Sequence, residues 1–171
     1  MRSVMFLLCV AGLLDQLRKP NSLAYLTTLG MIGTVLTLIC CIFECSASQL
    51  LLSLFIPIEL WIIITSCALF IFQIDLLVRD FEHKPMRLFM SFCTHVLPTL
   101  ALMKESKGIE LRLINRVLLV ILNGCYAEWS RHNHRRSSTY TYPILEHVPI
   151  WLVEVVASVF LLCAQHLFFS Q

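Results

Sequence analysis

The sequence predicts an all-α fold: a polytopic transmembrane helical bundle of five or six spans, forming one domain over residues 1–171. Three observations predict it. Hydrophobic residues make up 58% of the chain and charged residues only 14%, against about 45–50% and about 25% in soluble domains. The mean hydropathy is +0.79; a water-soluble fold of this size has too much surface for its volume to hide that many apolar side chains. The third observation is the order along the chain. Long apolar runs alternate with short connections that carry the basic residues.

A bilayer core about 30 Å thick needs roughly 20 apolar helical residues. The first run, Val4 to Leu14, is short. After Arg2 it resembles a signal-peptide core, but Asp15-Gln16-Leu17-Arg18-Lys19-Pro20 lacks the small residues of a cleavage site, which favours a curtailed first span. Leu23 to Phe43 holds no charge. Leu50 to Ile74 carries Glu59 beside Pro57 and Trp61. Leu88 to Met103 contains His95 and Pro98. Leu113 to Trp129 contains Arg116, Asn123 and Glu128, and Val148 to Phe169 contains Glu154. In the two more polar runs, the polar residues are expected to face the bundle interior. The connections hold Arg79, Lys84 and Arg87; then Lys104, Lys107 and Arg112; then Arg131, Arg135 and Arg136. Lys and Arg fall on both sides, so the positive-inside rule orients the chain only weakly.

A net charge of +2, spread between apolar runs, lacks the dense basic face of a nucleic-acid binder. The bases fit snorkelling and lipid headgroup contact instead. No nucleic-acid partner is expected. Most of the eight cysteines lie within apolar runs, where cysteine acts as a small hydrophobe. Cys40-Cys41-x-x-x-Cys45 closes a span, a setting open to palmitoylation. His132-x-His134 with Glu146-His147 fits no zinc spacing, and neither metal nor cofactor is expected.

Ionisable groups inside spans are costly, and so are candidate functional groups. Here they are Glu59, His95, Glu128, Glu154 and His166. His166 lies near a helix end and reaches the interface; Glu154 lies close enough to an end to reach water. Glu59 reads first as a structural carboxyl hydrogen-bonded within the bundle, and otherwise as part of a site. His95 stands three residues before Pro98, and a proline frees a carbonyl one turn earlier, so a cavity can open there. Thr27 and Thr28, near the start of an apolar span, either bond back to their own helix or present a hydroxyl.

Two strings carry a resemblance. Tyr142-Pro143-Ile144-Leu145-Glu146-His147 precedes the last span, with Trp129 and His132 upstream, and Cys93-Thr94-His95-Val96-Leu97-Pro98 lies in the kinked one. Together they resemble the family of androgen-induced proteins and androgen-dependent regulators of tissue factor pathway inhibitor, which are multi-pass membrane threonine hydrolases. The similarity runs from about Phe89 onward and more weakly through Tyr25-Leu26-Thr27. It implies cleavage of fatty acid esters of hydroxy fatty acids, with Thr27 as nucleophile and His95 as its base. Registration on Val96-Leu97-Pro98 sets Cys93 at the family's histidine position and His95 two residues on, about 200° around an ideal helix; a local bulge near Pro98 would correct that register. A threonine hydroxyl needs such a base, and the oxyanion needs donors, for which Asn123, Tyr142 and Trp129 are candidates. The implied partners are membrane lipid and a lipid ester substrate, and the expected location is the endoplasmic reticulum or plasma membrane. The alternative is a non-catalytic membrane protein of the same fold that binds a lipid or regulates a partner.

Overall fold

A computed structural model describes residues 2–18, 26–72, 94–106, 113–137 and 148–169. Among these residues there are six helices and no strand: α1 Arg2–Leu17, α2 Leu26–Ile42, α3 Ser48–Phe72, α4 Leu97–Glu105, α5 Leu113–Ser137 and α6 Ile150–Phe169. The fold is all-α. Two helices are long and apolar enough to cross a membrane, α3 through Ser48–Thr65 and α6 through Ile150–Phe169; Ser3–Leu17 and Leu26–Ile42 form shorter apolar helices.

α3 is the central element, packed on α2, α4, α5 and α6. α1 covers α2 and α4, while α5 lies along α6. One core joins Cys9, Met31, Leu38, Leu52, Ile56, Leu97, Ala101, Leu102 and Phe169. A second joins Leu54, Leu119 and Leu161, flanked by Trp61 and Phe160, whose ring centroids are 5.2 Å apart.

The α2–α3 contact is close because α2 presents small residues. A Cβ built on Gly33 would fall 1.8 Å from Phe55 Cε1, and one on Gly30 would fall 2.6 Å from Ile62 Cδ1. Small residues of this kind let two apolar helices approach and pack by direct contact.

Proline shapes two elements. Pro57 lies inside α3, where it cannot donate to the carbonyl one turn back, that of Ser53. Gln165 of α6 fills that gap: its buried amide donates to the Ser53 carbonyl at 2.9 Å. Pro98 does the same to Thr94. Thr94 and His95 are helical, Val96 is a turn, and α4 begins at Leu97. The run expected through Met103 is interrupted only at Val96, whose backbone stays in the right-handed helical region (φ −102°, ψ −47°), with Pro98 in the first turn of α4 where a missing N–H costs little.

Candidate functional site

Large apolar side chains point outward, among them Leu36, Ile64, Val155, Val156, Val159 and Leu167, while Thr27, Thr28, Thr34, Thr37, Ser53, Glu59, Thr94, Thr99 and Gln165 are buried. The buried polar groups are the informative part, set among the hydrophobic cores. Polar side chains at helical spacing face one another inside an apolar coat.

The α2 stripe Thr27, Gly30, Thr34 recurs at three and four residues, so it forms one face. That face meets α3. Thr34 donates its hydroxyl to Glu59 Oε1 at 2.7 Å, and the Cβ position of Gly30 is 3.0 Å from the same oxygen. Gly30 thus leaves the space that Glu59 occupies. Thr27 stands one turn beyond Gly30, about 4.5 Å of helix rise. The neighbouring stripe holds Thr28 with Met31 and Leu38, which share the core with Leu97, Ala101 and Leu102 of α4. Thr28 therefore lies on the face turned toward α4. Thr37 bonds back to the Gly33 carbonyl at 2.7 Å, the self-satisfied state open to any helical threonine. Thr28 Oγ1, Glu59 Oε2 and Thr99 Oγ1 are buried and have no hydrogen-bond partner among the described residues.

Of the sequence-predicted pair, Thr27 is 8% exposed in the first turn of α2. His95 is half-buried on the helical turn before the Val96 break. Thr27 belongs to α2, which packs on α3 and α4, and His95 lies two residues before α4. Cys93 lies outside the described residues, as does the string Tyr142 to His147.

The other candidates are engaged elsewhere. Asn123 donates to the Glu154 carbonyl at 3.1 Å and to Ser158 Oγ at 2.8 Å. Arg131 bridges Glu128 and Glu154, reaching Glu154 Oε2 at 2.7 Å. These contacts clamp α5 to α6, and Glu128 and Glu154 act there as structural carboxylates. Trp129 and His132 stack on the exposed face of α5. His166 is exposed near the end of α6.

Reading the sequence alone missed Thr34 and Gln165. The Gln165 signal was present: a proline inside a span leaves a carbonyl that needs a donor, and Gln165 is the only glutamine or asparagine in the last run. Comparison with protein-family models, curated proteins and solved structures finds no match to the chain.

Proposed function

We propose that this chain is a multi-pass membrane hydrolase of five or six spans that cleaves lipid esters, fatty acid esters of hydroxy fatty acids in particular, in the endoplasmic reticulum or plasma membrane. Thr27 is the nucleophile and His95 its base. The observation that carries the reading is the buried polar stripe at the start of α2, inside a bundle that exposes many large apolar side chains. The resemblance of the Tyr142 to His147 and Cys93 to Pro98 strings supplies the chemistry.

In the reaction, His95 accepts the Thr27 proton as Thr27 Oγ1 attacks the ester carbonyl, and the protonated imidazole returns it to the departing alcohol. Water then releases the acyl group from Thr27, with the same histidine as base.

The test is labelling by a fluorophosphonate probe in membranes. Wild type and Thr28→Ala should label, and Thr27→Ala should not. Adjacent helical residues point about 100° apart, so the two variants separate the α3-facing from the α4-facing hydroxyl. Labelling that survives Thr27→Ala and is lost with Thr28→Ala would transfer the nucleophile to Thr28.

The register of the resemblance favours a second reading, a non-catalytic membrane protein of the same fold that binds a lipid or regulates a partner: Cys93 falls where the enzymes it resembles have their histidine. Absence of probe labelling and of ester hydrolysis in a folded wild-type protein would select it.

A further inference from the structure

The end of α2 brings two cysteines together. Glu44 adopts a left-handed conformation with φ 52°, and the Cys45 N–H donates to the Cys40 carbonyl at 2.8 Å. This six-to-one bond around a left-handed residue is the Schellman helix ending, which presses the side chains at its two outer positions against each other, usually as an apolar pair. Here both positions are cysteine, and the 2.8 Å backbone bond between them sets the two residues side by side at the helix end. Both are free; Cys45 is exposed and Cys40 half-buried. Cys41 turns away and packs against the main core.

We propose that Cys40 and Cys45 form a redox-active dithiol that closes to a disulfide across the C-terminus of α2. A disulfide requires Cα atoms within about 4.4–6.8 Å and Cβ atoms facing each other. The 2.8 Å Schellman bond joins the backbones of the two residues directly, so the close approach is built before any oxidation. The oxidant is a low-molecular-weight disulfide. The exposed Cys45 thiolate attacks it and releases one thiol, leaving a mixed disulfide on Cys45. The Cys40 thiolate then attacks the Cys45 sulfur and releases the second thiol. One disulfide is consumed and one formed, and the two protein protons leave on the two released thiols. The bond ties the last turn of α2 to the connection entering α3, next to the seam that carries Thr34 and Glu59. It does not depend on the hydrolase reading.

The experiment uses the full-length wild-type protein in nanodiscs, reduced and then equilibrated over a series of reduced and oxidised glutathione ratios. Free thiols are trapped with N-ethylmaleimide and the digest is read by mass spectrometry. At the oxidising end, the peptide spanning residues 40–45 should lack two hydrogens, with Cys41 as its one maleimide-bearing cysteine. On the reduced protein, phenylarsine oxide, which bridges paired thiols, should protect both Cys40 and Cys45 from maleimide, and that protection should be lost in Cys45→Ser. Full maleimide labelling of Cys40 and Cys45 at every ratio overturns the proposal. So does a bond that includes Cys41, or a hydroxylamine-sensitive fatty thioester on Cys45 of the protein isolated from cells.

Discussion

Glu59 shows how much one buried residue depends on its partner. Its side chain is fully buried in the middle of α3, with one carboxyl oxygen held by Thr34 and the other unpaired. Glu59→Gln keeps the shape and keeps an acceptor for Thr34, so we expect the variant to fold and to retain most activity. Glu59→Ala removes the acceptor and leaves a void against Gly30. A loss of about 2–5 kcal/mol is the usual scale of such large-to-small changes, and thermal unfolding in detergent measures it. If Glu59→Gln unfolds as readily as Glu59→Ala, the structural role assigned here is wrong; if it folds normally and loses activity, Glu59 belongs to the site. The histidine is a second question at this scale. If the break at Val96 turns His95 toward Thr27, His95→Ala should cut hydrolysis by roughly 10²–10⁴-fold, the range of a lost general base, and Cys93→His should change little. If the family register holds instead, Cys93→His should raise hydrolysis and His95→Ala should be silent. The polar residues themselves were legible in the sequence, because an acid or histidine in an apolar run stands out. The Thr34–Glu59 pairing was not, since two helices must first be set in register across 25 positions.

Helix by helix, the prolines explain more than the apolar runs do. Pro57 withholds the bond that the Ser53 carbonyl would receive, and Gln165 supplies it from another helix. Gln165→Leu should therefore cost the desolvation of a buried unpaired carbonyl, about 1–3 kcal/mol. Pro57→Ala restores an N–H in the right place, so in that background Gln165→Leu should cost clearly less. Unfolding of the four proteins of this cycle gives the coupling. Equal costs of Gln165→Leu in both backgrounds would mean that Gln165 acts by packing alone. Gly33 makes a parallel case. Its added methyl would overlap the Phe55 ring, and Gly33→Ala should destabilise by about 1–3 kcal/mol as an overpacked contact, an effect that Phe55→Leu, which removes the ring, should reduce. The runs located α2, α3 and α6 in the sequence to within a few residues. Hydropathy was a poorer guide to α5, which continues to Ser137, well past the expected Trp129. In that extension Arg131 is held by ion pairs with Glu128 and Glu154, and the basic last turn suits the helix dipole, features which no apolar period reveals.

At the scale of the whole molecule, composition points to the all-α class: if a chain this apolar and this poor in charge sits in lipid, helices are among the few ways to satisfy its backbone there. The arrangement of the helices does not follow from composition, since every apolar helix face looks alike until a partner is chosen; here glycines, prolines and a few buried polar groups make that choice. The remaining question is the solvent of the outer face, and the tryptophans can report it. The chain has three. Trp151 is 61% exposed at the start of α6 and Trp129 is 46% exposed on α5, while Trp61 packs on Phe160 within the bundle. If lipid coats the molecule, reconstitution into bilayers with brominated acyl chains should quench tryptophan emission strongly. Trp151→Phe should remove a large share of that quenching, and Trp61→Phe should leave most of it. Water on these faces would give the opposite pattern: quenching by aqueous iodide or acrylamide at Trp151 and Trp129, and none from the brominated chains. Bromine on the acyl chain acts only at short range, so the depth at which quenching peaks also locates each residue. The amphipathic ring of Trp129, stacked on His132 beside Arg131, should report the headgroup level, where tryptophan is enriched at membrane boundaries. Quenching of Trp129 that peaks at the bilayer centre would mean that α5 crosses at a different height from the one its basic end implies.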